Sequence, residues 1–508
     1  METLQNLAMG LSVATDPMNL LYCVIGVVFG IIIGALPGLG PSAGIAILLP
    51  LTFGTEPVAG IIMLAGIYYG AMYGGSITSI LINVPGDASA VMTTLDGHPL
   101  AKQGRAGQAL GMAAFASIIG GTACVIMFMF LAPALAEFAI TFGPPEYFAL
   151  MVLGLTTIGG MTGKFPAKGY MSALIGLFIA TIGLDLVQGI PRFTFGTYEL
   201  YEGIDFIPVA MGLFGIAELL VIGEEGEKIK FSKKDLSWRK QLPTKEDWKY
   251  SAPHIARGTG IGFLIGMLPG AGATIASFIS YGVGKKVSKR GDKFGTGVIE
   301  GVAAPESANN AASIGAMVPL LTLGIPGSGS TAVMLGALMM FGLSPGPLLF
   351  TNNPDFVWGL IGSMYIGNFL LLVLALLAVP LFVKVLNVSS PVLNAVVMGF
   401  ILIGAYSLNN SMFDVGLTIM FGVLGFFMKK LGFPATPMVL ALVLGALLET
   451  SLRQSLIISN GNPAIFFTRP ISGTILAIAI LAVSWPFIKK IIDRMRKSGK
   501  PSVGEGLK

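Results

Sequence analysis

Apolar runs recur along the chain from Leu20 to Ile488, most of them long enough to approach the ~20 residues that a helix needs to cross a bilayer, and short polar loops separate them. The pattern predicts an all-α polytopic membrane protein, one unit over its whole length rather than a soluble domain on an anchor. Composition sharpens this. The 508 residues are 54% hydrophobic and 11% charged, with 69 glycines and a mean hydropathy of +0.80. A soluble domain carries about a quarter charged residues, so the surface of an ordinary cytosolic enzyme is excluded. The net charge of +5 does not point to nucleic acid, because the bases fall in a few short loops, which membrane topology alone produces. Cys23 and Cys124 both lie within apolar runs and read as packing residues, with no disulfide framework or CxxC site available. The first base after the N-terminus is Lys102, so the charged n-region of a cleaved signal is missing and residues 1–18 are expected to stay on the mature chain.

An internal repeat organises the rest. Gly34-Ala35-Leu36-Pro37-Gly38-Leu39-Gly40 returns 232 residues later as Gly266-Met267-Leu268-Pro269-Gly270-Ala271-Gly272, and Val84-Pro85-Gly86-Asp87-Ala88-Ser89 returns 241 residues later as Ile325-Pro326-Gly327-Ser328-Gly329-Ser330. The chain therefore divides into an N-terminal segment (1–18), a first repeat (19–223), a charged connector (224–256), a second repeat (257–451), and a last part (452–508) with a loop, an extra span and a basic tail.

Charge then sets orientation. In the first half, loops 97–106, 163–169 and 224–250 carry bases and alternate with 54–57, 141–147 and 190–206, where acids match or outnumber them. In the second half, 285–293, 384–391 and 429–434 are basic, 344–355 and 405–412 have no base, and 451–470 carries Arg453 and Arg469. The phase is reversed between equivalent loops. By the positive-inside rule this predicts two inverted-topology repeats, a cytoplasmic connector and C-terminus, and an external loop after residue 451. One sequence folded two ways across a bilayer implies alternating access, hence a transporter.

Pro-Gly pairs inside apolar helices free backbone groups that must be satisfied, and paired interruptions in two halves mark a substrate site. The second pair of breaks reads as the tips of two opposed re-entrant hairpins: Ser76–Asn83 and Ala88–Leu95 around the first tip, entering from the cytoplasm, and Met317–Gly324 and Gly329–Leu338 around the other, entering from outside. With no Lys or Arg at the breaks, an anion would be held by half-helix N-termini at Gly38, Gly40, Ser42 and Gly270, Gly272, Thr274, with Asn83, Asn309 and Ser328 as side-chain partners. Gly40 and Gly272 are expected to permit close backbone approach. Carboxylates within spans are functional by default, so Asp87 and Glu306, with Asn310, are assigned to cation coupling, and a Na+ ion to the hairpin tips at Pro85, Gly86, Pro326 and Gly327. Glu300 lies close enough to a basic loop to be interfacial. No resident cofactor is expected; the coupling ion is Na+ or H+.

Gly40-Pro41-Ser42-Ala43-Gly44 matches the nucleophile-elbow pattern, but His98 and His254 lie outside the spans and no base is placed to serve a hydrolase. No phosphate-binding G-x-x-x-x-G-K-[ST] exists. A channel is the nearer alternative, since re-entrant segments also build filters.

The break at 34–41, Tyr69-Gly70-Ala71-Met72-Tyr73-Gly74-Gly75-Ser76, Asn83-Val84-Pro85-Gly86 and Ala304-Pro305-Glu306-Ser307-Ala308-Asn309-Asn310-Ala311 resemble the large membrane subunit of the bacterial tripartite tricarboxylate transporters, the TctA family. The resemblance runs over nearly the whole chain. It implies a cation-driven secondary transporter of citrate or related carboxylates in a bacterial inner membrane, with a small membrane subunit and a periplasmic solute-binding protein as partners, and an elevator motion carrying the hairpins.

Overall fold

The computed structural model describes residues 2–36, 39–83, 85–156, 166–185, 190–225, 241–268, 272–377, 390–481 and 484. These residues are helical almost throughout, and the β pairing among them is one two-residue antiparallel ladder, Gly183–Leu184 with Pro191–Arg192. Six helices among the described residues are long and apolar enough to cross a membrane. The chain is an all-α, multi-pass membrane protein.

Glycine spacing fixes how each half packs. Gly26, Gly30 and Gly34 occupy one face of the helix Pro17–Ala35, and a Cβ at each would lie 2.3, 2.6 and 2.2 Å from the backbone oxygens of Met63, Ile67 and Ala71 on the helix Pro57–Ile82. Numbers rise together on both helices, so the two run parallel at backbone contact, as small residues four apart allow. The same arrangement recurs 232 residues on. Cβ atoms at Gly258, Gly262 and Gly266 of the helix Lys245–Gly266 would lie 2.6, 2.3 and 2.4 Å from the oxygens of Ala304, Ala308 and Ala312 on the helix Glu300–Gly315.

Between the parallel pairs the chain must come back, and it does so at the first pair of breaks. The helix Pro41–Leu48 and the turn Leu49–Thr52 run antiparallel to Pro57–Ile82: Gly44 abuts Ile33 and Ile67, while Thr52 abuts Gly60. In the second half, Gly272–Val287 returns along Lys245–Gly266, with the His254 ring 3.3 Å from the Gly284 oxygen. The helices Pro17–Ala35 with Pro41–Leu48, and Lys245–Gly266 with Gly272–Val287, are therefore the antiparallel helical pairs, within 17–52 and 245–287. The two long helices are antiparallel: Ser76, near the end of the first, bonds Glu306, near the start of the second.

The hairpins expected around Pro85 and Pro326 are not formed. Pro57–Ile82 is a continuous helix, and after Asn83 the chain doubles back to the level of Gly75, whose carbonyl accepts from the Gly86 N–H at 3.2 Å. The helix Val91–Leu100 then runs in the same direction as the helix it left, from Ser79 beside Ala90 to Ile80 beside His98. The second half does likewise, with Gly327 packed on Ala316 and the Gly346 N–H donating to the Leu321 oxygen. A Pro-Gly break interrupts helical bonding, but the neighbours determine which way the chain leaves.

Loops that the charge pattern groups together do meet. Arg105 pairs with Asp247 at 2.7 Å, Gln103 bonds the Thr296 carbonyl, and Lys168 reaches the Leu431 carbonyl. Among the base-poorer loops and 451–470, Arg469 pairs with Glu146 at 2.7 Å, and Arg192 and Arg453 share Asp185 and Glu449. The Lys245–Gly266 helix starts within the stretch read as connector, because Thr244 and Asp247 form a capping box that begins it early. Glu300 is buried and paired with Arg290, which stacks on Tyr250.

Candidate functional site

The two second breaks match at their described ends. Asn83 (φ 60°) and Gly324 (φ 69°) end their helices in the left-handed region, where Asn and Gly are the residues that cost least. Five residues after the respective left-handed residues, the next helices have begun: Asp87 (φ −144°, ψ 174°) accepts from the Ala90 N–H, and Ser328 (φ −154°, ψ 171°) accepts from the Thr331 N–H. Each break is also pinned alike. A Cβ on Gly86 would lie 2.0 Å from the Gly34 oxygen, and one on Gly327 3.2 Å from the Gly266 oxygen.

Charge distinguishes them. The Asp87 carboxylate accepts from the Ser89 hydroxyl through both oxygens (3.0 and 2.9 Å) and from the Ala90 N–H at 3.2 Å. The helix N-terminus of the first break is thus already capped by a carboxyl side chain. At the second break, neutral Ser328 exchanges hydrogen bonds with Thr331 and meets the Tyr68 hydroxyl at 3.2 Å.

Three helix N-termini converge near this second break, one of which, at Gly40, also borders Asp87. Gly40 starts Pro41–Leu48, Ser328 starts Gly329–Met340, and Pro434 starts Ala435–Ile458. Ser42 Oγ lies 3.1 Å from Ser330 Oγ, and a Cβ at Gly329 would fall 2.8 Å from Ser42 Oγ and 3.1 Å from Thr436 Oγ1. A cavity of about 280 Å³ opens here, lined by Gly40, Ser42, Leu213, Phe214, Phe433, Pro434 and, toward the basic loops, the Glu218–Lys429 pair. Hydroxyls, N-terminal N–H groups and apolar walls make a place for a small anion.

The other polar centre lies between the halves. Glu306 is fully buried; its Oε1 accepts from Ser76 at 2.5 Å and from Thr93, and its Oε2 from Ser117 at 3.5 Å. The Asn310 amide donates to Ser117 Oγ (2.8 Å) and Asn309 Oδ1 (2.6 Å).

Of the residues expected from sequence, Ser42 and Gly40 line the cavity, Ser42 bonding Ser330, two residues after Ser328, and Gly40 beside Asp87, while Glu306, Asn309 and Asn310 meet at the buried centre. Gly38 and Gly270 lie outside the described residues. Asn83 is exposed and Thr274 half-buried, and neither shares a hydrogen bond with the others among the described residues. Pro85 and Gly86, Pro326 and Gly327 form the two pinned breaks rather than hairpin tips. Gly40 and Gly272, expected to let a substrate approach the backbone, are uncrowded: a Cβ on Gly40 would have its nearest neighbour at 3.9 Å, and Gly272 takes φ +60° with nothing within 4 Å. Sequence reasoning missed Tyr68, Thr93, Ser117 and Thr436. Of these only Thr436 carried a local signal, Pro-Ala-Thr-Pro at a helix start; the rest are isolated polar residues brought in by tertiary packing.

Residues 20–440 match the model of the tripartite tricarboxylate transporter TctA family. The chain is 44% identical over 499 residues, 98% of it and 99% of the relative, to an uncharacterized 52.8 kDa protein in the TAR-I ttuC' 3' region of Agrobacterium vitis. It is 46% identical over 222 residues, 44% of it and 92% of the relative, to an uncharacterized protein in the TAR-II ttuC' 3' region of the same organism. No solved structure gives a significant match. With the family model covering most of the length and the first relative end to end, the chain belongs to the tripartite tricarboxylate transporter TctA family.

Proposed function

We propose that this chain is the large transmembrane subunit of a cation-gradient-driven secondary transporter that imports citrate-like tricarboxylates or related carboxylates, and that it performs no covalent chemistry. The family supports a tripartite setting, to which this proposal assigns a small membrane subunit and a periplasmic solute-binding protein as partners and the bacterial inner membrane as the site. One observation carries the reading of the site: three helix N-termini and the Ser42–Ser330 hydroxyl pair converge at the end of a cavity, at the break whose cap is neutral. Each N-terminus offers about half a positive charge and unpaired donors. A carboxylate can therefore be bound there without an arginine, at the modest affinity that makes a separate binding protein useful.

The halves act as inverted-topology repeats in this proposal. Glycine triplets, left-handed helix ends and caps that recur at offsets of 232 and 241 residues support it, as do the antiparallel long helices. By the positive-inside rule the basic loops and C-terminus are cytoplasmic, so the cavity toward Lys429 opens inward. Hairpins 17–52 and 245–287 would enter from opposite sides and move with the anion site in an elevator step. We assign coupling to Glu306 and Asn310, and Asp87 to holding its break.

The test is uptake of labelled citrate, tricarballylate and dicarboxylates into proteoliposomes holding this chain and its small subunit, with the binding protein outside and Na+ or H+ gradients imposed in turn. Accumulation that needs both the binding protein and a gradient is expected. Flux that only equilibrates would mean a channel, and no carboxylate uptake under any gradient would end the proposal.

A further inference from the structure

The breaks do not use the most polar buried place in the molecule. Glu306 is the carboxylate of a centre with no cationic side chain bonded to it among the described residues: its hydrogen-bond partners are the hydroxyls of Ser76, Thr93 and Ser117. A full negative charge surrounded by neutral donors in the interior of a membrane protein is costly and calls for a proton or a cation. Three more atoms there lack any partner. Asn310 Oδ1, Asn309 Nδ2 and the Tyr73 hydroxyl are buried without a hydrogen bond. Tyr73 precedes Ser76 by three residues and Asn310 follows Glu306 by four, so each lies on the same helix face as the group it flanks. The Asn310 amide nitrogen is already committed to Ser117, Asn309 and the Glu306 carbonyl, which fixes Oδ1 as the free end.

The orphan acceptor decides between the two neutralising agents. A proton on Glu306 would neutralise the carboxylate but bring a single O–H donor, which binds one acceptor at a time. A hard monovalent cation would be bound by both, with hydroxyl oxygens turning their lone pairs toward it, and an all-oxygen set suits such an ion. We propose that Glu306, Asn310, Ser76, Thr93, Ser117 and Tyr73 form a Na+ site between the two long helices, distinct from the anion cavity. This rests on the coupled-transport reading for its purpose but not for its geometry. It replaces the break tips at Pro85, Gly86, Pro326 and Gly327 as the place of the coupling ion. Since Ser76 and Thr93 come from the first half and Glu306 and Asn310 from the second, the ion would tie the halves together.

Binding can be read without transport. The full chain purified in detergent is melted in NaCl from millimolar to about a hundred millimolar, with KCl or choline chloride holding ionic strength constant, at several pH values. A ligand that binds the folded form raises Tm as its concentration passes Kd. Tm is expected to climb with Na+ and not with K+ or choline, the response to vanish in Glu306→Gln, and the Na+ midpoint to rise about tenfold or more in Asn310→Ala and Thr93→Val. Ser363→Ala, which removes a buried hydroxyl elsewhere, should keep it. A wild-type Tm indifferent to Na+ would overturn the site, as would a Na+ response that survives both Glu306→Gln and Asn310→Ala. A melt that shifts with pH through Glu306 and ignores Na+ would make this a proton site and overturn the Na+ assignment. Na+ stabilisation with no carboxylate uptake in proteoliposomes would instead leave the site standing and remove the transport reading.

Discussion

The two second breaks, at Asn83–Asp87 and Gly324–Ser328, match at their ends and differ in the side chain at the cap. Both end a helix in the left-handed region, double back and start the next helix at an extended cap. Yet Asp87 fills its own helix N-terminus with a carboxylate, and Ser328 leaves its counterpart neutral beside Ser42, Ser330 and the cavity. The long helices show the same division. Glu306, Asn309 and Asn310 correspond, 241 residues earlier, to Ala65, Tyr68 and Tyr69. The recurring frame is one that packing constrains, while the polar chemistry is held by one half at a time. On the proposed function, a recurring frame with an asymmetric site would serve two related conformations around one substrate.

The sharpest way to break this comparison is to give the second break the charge of the first. Asp caps a helix at least as well as Ser, so Ser328→Asp should fold. A carboxylate about 4 Å from a bound one costs about 4 kcal/mol at an effective dielectric of about 20, so substrate uptake should fall roughly a thousandfold in kcat/KM. Uptake unchanged in this variant would place the anion elsewhere.

Packing offers the next largest effect. Gly86→Ala puts a Cβ 2.0 Å from the Gly34 oxygen, whereas Gly327→Ala puts one 3.2 Å from the Gly266 oxygen. Overpacking of this kind costs about 1–3 kcal/mol, and thermal melts in detergent should show the Gly86 variant destabilised and the Gly327 variant much less so. Equal losses would mean that the two breaks are under equal strain, contrary to the geometry. Smaller still is Ser330→Ala, which removes one hydroxyl beside the cavity. At about 1 kcal/mol per hydrogen bond it should raise the KM for the carboxylate roughly fivefold with little change in Tm. Asp87→Ser should do least: the cap survives, stability stays within about 0.5 kcal/mol, and uptake should change less than about threefold. A large loss there would restore Asp87 to the coupling machinery.

Much of this architecture is legible in the sequence because the periodicity is coarse. Span-length apolar runs, the two pairs of Pro-Gly breaks, and the sorting of Lys168, Arg105 and Lys429 to basic loops all follow from composition along the chain. Hairpin placement did not, since Pro85-Gly86 and Pro37-Gly38 look alike as interruptions. What separates them is the partner surface: Gly26, Gly30 and Gly34 clamp the incoming helix to 57–82, which forces the reversal to the first break. That signal was present as G-x-x-x-G-x-x-x-G in both halves, at 26–34 and 258–266. Glu306, Asn309 and Asn310 were visible as polar residues in an apolar run. Ser117 was not, for a lone serine in the 34-residue helix Ala106–Ala139 bonds its own backbone as readily as a distant side chain.

The claim on which the rest depends is that one frame is used in two opposite orientations. Cys23 and Cys124 are buried and free and can be replaced, so single cysteines at Lys102 and Leu348, both exposed and at corresponding places in the two halves, report sidedness directly. Labelling right-side-out and inverted vesicles with a membrane-impermeant maleimide should modify Lys102→Cys from the cytoplasmic side alone and Leu348→Cys from the outside alone; labelling of both from one side would contradict the inverted frame.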